Sequence, residues 1–223
     1  MGQASFSAKL PPAKPKNTER RTREYLTSDE VEQLMRAARQ AGRHGQRDAT
    51  LILMMYRHGL RVSEVSRLRW ESIDLKAALL HVRRLKRGPS SSHPLHGPEL
   101  RALRQLKRTH LGLAYVFMSE RGSPLSDRTI RHMILRAGEE AELPFPVHPH
   151  MLRHACGFYL ANKGLDTRAI QQYLGHRNIQ STVRYTELAP HRFLDFWDDW
   201  SCTCRLRINP PGSPIDRHRS KKV

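Results

Sequence analysis

Residues 150–185 read HMLRHACGFYLANKGLDTRAIQQYLGHRNIQSTVRY, and the reading of this stretch decides the fold. His150 and Arg153 stand three residues apart, so a helix places them on one face. That helix breaks at Gly164, a second resumes at Asp166 and stops at Gly175, and His176 and Arg177 follow the stop. Tyr185 lies nine residues beyond His176. A guanidinium is a planar, permanently charged fork that suits phosphate oxygens. Imidazoles give or take protons near neutral pH, and a phenol is a covalent nucleophile once its proton has a destination. These are the parts needed to handle a phosphodiester. Taken singly, a His or Arg near a helix start is more often a cap or a surface group. Tyr159 and Tyr173 fall inside apolar helical patterns and are expected in the core. Tyr185 follows the polar, β-branched run Gln180, Ser181, Thr182, Val183, and its burial is less obvious.

Upstream, a helix is predicted over residues 47–57, where TLILMMY at 50–56 is apolar nearly all round and so central to the core. Gly59 stops it in the manner of a C′ glycine. Arg61 then falls in the turn before the short helix that Ser63 and Glu64 begin, at a helix N-terminus that favours an anion. An Arg61–Glu64 salt bridge accounts for the same pair. Before this, Thr27 and Glu30 have capping-box spacing, and Val31, Leu34, Met35 and Ala38 form a helical stripe. Beyond it, strands are predicted over 78–83 and 93–95, joined by a loop turning at Gly88-Pro89. A helix starting at Pro98-Glu99 turns Leu100, Leu103 and Leu106 inward. Tyr115 to Met118 is a short strand candidate, and Ser126 or Asp127 caps a helix burying Ile130, Ile134 and Ala137. The sum is a mainly α fold with a small antiparallel β-sheet.

The formal net charge is +18, from 39 Lys and Arg against 21 Asp and Glu, spread along the whole chain of 223 residues. A basic surface of this kind points to a polyanion, above all nucleic acid; no long amphipathic basic helix favours a membrane surface instead. No run of 18 apolar residues exists to span a bilayer, and the N-terminal residues lack the apolar run of a secretory signal. Cys156, Cys202 and Cys204 form neither a disulfide framework nor a zinc pattern, so a reducing, cytoplasmic setting is expected. Residues 1–24 read as a flexible basic arm, either touching a DNA backbone or inert. Residues 25–200 read as one domain, and 201–223 as a basic, disordered tail. Within the domain, FLDFWDDW at 193–200 is too apolar to stand free and packs either on its own domain or on a neighbour.

His150-x-x-Arg153, then Leu174-Gly175-His176, then Tyr185, with His58-Gly59-Leu60-Arg61-Val62-Ser63-Glu64 upstream, resembles the tyrosine recombinase (phage integrase) family over roughly residues 25–190. The phrases HPHMLRH and YLGHRNI are most similar to the small fimbrial phase-switch recombinases, bacterial invertases without a separate N-terminal DNA-binding domain. The resemblance implies the catalytic-domain fold of that family and metal- and ATP-independent DNA transesterification, with no cofactor. It implies Tyr185 as nucleophile, Arg61 and Arg153 on the non-bridging oxygens, and Glu64 orienting Arg61. His150 would be general acid/base near the phenol, and His176 a hydrogen-bond donor to phosphate. Lys86 matches a lysine that protonates the leaving oxygen; flanked by Arg84 and Arg87, its alternative reading is a phosphate contact on a solvated loop. The implied partners are double-stranded DNA, further copies of the chain in a tetramer on DNA, and accessory DNA-bending proteins. A catalytically silent DNA-binding regulator and a type IB topoisomerase-like relaxing enzyme are the rival readings.

Overall fold

The computed structural model describes residues 23–84, 90–109 and 112–187. Lys86, the first 22 residues and everything beyond Glu187, including the segment at 193–200, lie outside the described residues. Within them run helices α1 (Ser28–Gln40), α2 (Gly45–His58) and α3 (Val62–Ser66), then strands β1 (Ile73–Asp74), β2 (Leu79–Val82) and β3 (Ser91–Pro94). Helices α4 (Gly97–Thr109), α5 (Asp127–Glu140), α6 (Pro149–Asn162), α7 (Thr167–Leu174) and α8 (Gln180–Glu187) follow. The sheet is antiparallel in the order β1-β2-β3, with Leu80 paired to Ile73 on one side and His93 on the other.

Helix starts and stops follow local chemistry. The Thr27 side chain accepts from Glu30 N while the Glu30 side chain accepts from Thr27 N, a complete capping box for α1. Ser126 caps α5 and Asp166 caps α7 through their side-chain oxygens. Gly59 and Gly175, with φ of 56° and 66°, end α2 and α7 in the left-handed conformation that costs other residues most.

Helix α2 lies against α1, α4 and α6, and α1 also packs on α5. Its Leu51, Ile52, Met54 and Met55 are fully enclosed by Leu34, Leu103, Phe117, Ile130, Ile134 and Leu152, among others. Each such side chain contributes roughly 1.5–3 kcal/mol relative to exposure. A second, smaller cluster gathers Cys156, Ala161, Ile170, Leu174 and Tyr185, where α6 meets α7 and α8.

Two expectations need correction, and one element was not foreseen. Residues 115–118 make no strand: they form single bridges, Arg69 to Tyr115 and Met118 to Pro124. Val116 and Phe117 are buried, but they hydrogen-bond in turn to Leu68 and Leu125, so no ladder forms. Strand β1 is two residues long, too short for a period-2 pattern to reveal it. Tyr159 is 46% exposed, edge-on to Tyr56 with ring centroids 6.2 Å apart; its neighbour Phe158 takes the inward direction and packs on the smaller cluster.

Candidate active site

The site assembles at the C-terminal end of α7. The last carbonyls of a helix have no intrahelical donor, and that end carries partial negative charge. Here three consecutive carbonyls each accept from a different arginine. Arg84 Nη2 donates to Tyr173 O, Arg153 Nη2 to Leu174 O at 2.6 Å, and Arg61 Nη2 reaches Gly175 O at 3.5 Å. Arg153 Nη1 also donates to Gly59 O, tying the end of α2 to the same point. The predicted neighbours Arg61 and Arg153 are thus brought together from opposite halves of the chain.

Arg61 is the N-cap of α3. Its backbone N–H donates to Glu64 Oε2 (2.9 Å) and its Nη1 to Glu64 Oε1 (2.8 Å), while Arg84 Nη1 donates to Oε2 from the other side (2.8 Å). Burial would raise the Glu64 carboxyl, but Arg84 and Arg61 outweigh it and hold the group below its ordinary range. The side chain of Arg84 is fully enclosed and that of Arg61 is 20% exposed. Burial, with Arg61 and Arg84 nearby, brings Arg153 down to about 10, which leaves it charged at neutral pH.

His176 follows the α7 stop, and its Nδ1 lies 2.8 Å from Thr182 Oγ1 of α8. Burial, then Arg153 and Arg61, lowers it to about 3. A neutral imidazole engaged at Nδ1 offers Nε2 as its remaining hydrogen-bonding atom.

Tyr185, on α8, is 1% exposed. Its hydroxyl lies 2.8 Å from Nδ1 of His154. Its ring meets Phe158 edge to face at 5.0 Å and stacks toward His176 at 6.2 Å. Gly157 makes the seat possible, since a Cβ there would come within 2.7 Å of the tyrosine ring. Burial raises the phenol above its ordinary value, partly offset by Arg153. Burial first, and Arg184 next, lower His154 to about 4.

His150 is exposed in the first turn of α6, edge to face with His148 at 6.4 Å. The imidazole bonded to the phenol is His154, one turn further along the same face. Sequence reasoning missed His154 because it stands beside Arg153 and outside the His-x-x-Arg spacing. The i, i+4 relation to His150 was the available signal. It also took Arg84 only as a flanking charge; the alternation Leu80, Val82, Arg84 was the sign that this arginine points inward.

The model of the phage integrase family matches residues 24–192. The type 1 fimbriae regulatory protein FimB of Escherichia coli strain K12 is 46% identical over 181 residues, covering 79% of this chain and 90% of that protein. Among solved structures, the XerA recombinase superposes with a TM-score of 0.66 at 28% identity, over 79% of this chain and 65% of that one. A lambda integrase dimer bound to a COC′ core site superposes with a TM-score of 0.60 at 25% identity, over 73% of this chain and 47% of that one. With the arginines, His176 and Tyr185 gathered at one helix end, the chain belongs to the phage integrase family and is a tyrosine-type, site-specific DNA recombinase.

Proposed function

We propose that the protein breaks and rejoins DNA strands through a 3′-phosphotyrosyl intermediate. Tyr185 Oη attacks the scissile phosphorus as its proton passes to His150, and the 5′ oxygen leaves with a proton from Lys86. The free 5′ hydroxyl of a partner strand, giving its proton to Lys86, then attacks the phosphotyrosyl phosphorus, and Tyr185 leaves with the proton held by His150. One phosphodiester is exchanged for another at each step, so no external energy source enters. Arg61 and Arg153 hold the non-bridging oxygens, where charge builds in the transition state; losing one such donor costs about 10²–10³ in rate. His150 serves proton transfer and His176 hydrogen-bonds the phosphate. The observation that carries this reading is the convergence of Arg61 and Arg153 on neighbouring carbonyls at the α7 terminus. The buried phenol must leave its seat against Gly157 before attack, so cleavage begins with a displacement of α8.

The likeness to a fimbriae regulatory protein supports inversion of a DNA segment that switches fimbrial expression, with integration as the alternative outcome of the same chemistry. The DNA-bound lambda integrase supports duplex DNA as partner. Exchange between two duplexes calls for four protomers and for accessory proteins that bend the intervening DNA. The setting is the bacterial cytoplasm and nucleoid, in keeping with the finding that no helix among the described residues is long and apolar enough to cross a membrane.

Incubation with a nicked duplex of the target inverted repeat tests the reading. A covalent complex resistant to SDS, absent with Tyr185→Phe, is expected. Tight binding without any covalent product would leave a silent regulator. Relaxation of a supercoiled plasmid lacking the repeat would favour the topoisomerase-like reading.

A further inference from the structure

Arg84 occupies a place that strand geometry assigns to an apolar residue. Leu80, Val82 and Arg84 alternate along one side of β2 and its continuation, at 0%, 4% and 6% exposure. A guanidinium taken out of water is expensive unless its surroundings compensate. Glu64 Oε2 and Tyr173 O take the two η nitrogens. The Nε is buried without a hydrogen-bond partner among the described residues, and the backbone of Gly175 lies against it, so close that a Cβ there would be 2.6 Å from Nε. The end of α7 therefore rests directly on this guanidinium. An apolar side chain would fill the volume without that desolvation cost, so stability alone is a poor account of an arginine here.

Its contacts point to another role. The Glu64 carboxylate that receives Arg84 is the one that grips Arg61 at both the backbone and Nη1. The Tyr173 carbonyl precedes the two that Arg153 and Arg61 address. Arg84 itself lies just beyond the end of β2. One side chain thus joins three segments of the site that are remote in sequence. We propose that Arg84 is a positioning residue for strand cleavage, setting Arg61 through Glu64 and seating the α7 terminus, with His176, against the end of β2. This rests on the phosphotyrosyl reading above. Arg84 makes no contact with the phosphate; its effect passes through the groups that do.

The test is single-turnover cleavage of the nicked duplex at saturating protein, alongside binding of the same duplex and thermal unfolding. Arg84→Met is expected to slow cleavage on the order of 10²-fold, the penalty typical of small misplacements of catalytic groups, with duplex affinity little changed. Arg84→Lys, which restores the charge beside Glu64 but not the fork, recovers part of the rate and keeps the test open if the Met variant fails to fold. Because Arg84 acts through Glu64, the double variant Arg84→Met/Glu64→Gln is expected to cleave no more slowly than the slower single variant. Penalties that multiply, an unchanged Arg84→Met rate, or a loss of duplex affinity as large as the loss of rate would each overturn the positioning role while leaving the phosphotyrosyl reading intact. A wild-type protein that forms no covalent complex would sink that reading, and this proposal with it.

Discussion

The two halves of the site are built to different standards. The arginine half is cross-tied: Arg61, Arg84 and Arg153 reach three successive carbonyls, Arg61 and Arg84 share one carboxylate, and the ties span α2, α3, β2, α6 and α7. The tyrosine half hangs on less. Tyr185 is held by one hydrogen bond to His154, by ring packing on Phe158 and by the gap at Gly157. A rigid cationic seat suits a charge that must be met without reorganisation, whereas a nucleophile lodged in a small core can be withheld until α8 moves. On the mechanism proposed above, the difference separates binding of the phosphate from delivery of the attacking atom.

The largest effect that would sharpen this contrast is expected from Arg153→Ala. It unties Leu174 and Gly59 together and should lower covalent-complex formation by at least about 10²–10³-fold. A milder loss would mean that the arginine half is less interdependent than its hydrogen bonds imply. Gly157→Ala addresses the other half. The added methyl cannot share space with the Tyr185 ring, so overpacking should cost about 1–3 kcal/mol against a helix-propensity gain of at most ~1 kcal/mol. Differential scanning calorimetry should show a lowered Tm, and ultraviolet difference spectra a more exposed tyrosine. An unchanged tyrosine spectrum would show that the seat is not what holds the phenol.

Acid should loosen both halves at once. His93, His154 and His176 are pulled down to about 3, 4 and 3, in each case chiefly by burial. Each is neutral in the fold and charged more readily in the unfolded chain, so the unfolded state binds the extra protons. Stability is therefore fully present above pH ~6.5 and falls as pH drops toward about 4, on the order of 1 kcal/mol per pH unit for each histidine. Urea unfolding at stepped pH measures the slope; a flat profile from pH 6.5 to 4.5 would contradict the burial of these rings. The smallest effect concerns the latch. His154→Ala removes a hydrogen bond worth roughly 1 kcal/mol, while His154→Asn keeps a polar atom near the position of Nδ1 and should recover most of it, as read by Tm.

Much of the frame was legible because it is written locally. Thr27 with Glu30, Ser126, Asp166, Gly59 and Gly175 announce helix ends through interactions within a few residues. The apolar run at 50–56 announces the central helix in the same way. What escaped depends on partners far off in the chain. The bond between His154 and Tyr185 spans 31 residues, and that between Arg84 and Tyr173 spans 89. No periodicity encodes either. The inward turn of Tyr185 escaped for a related reason: the space it fills is made by a missing side chain at Gly157, on another helix. Tyr159 and residues 115–118 failed oppositely, since apolar patterns there invited a core position and a strand that tertiary packing assigned elsewhere.

The row of carbonyls from Tyr173 to Gly175 carries a consequence for how this site can be regulated. Three cations are registered to one short ledge, so a shift of that ledge misaligns all of them in a single movement. A displacement of α7, whatever its source, would therefore reach all three together rather than one at a time.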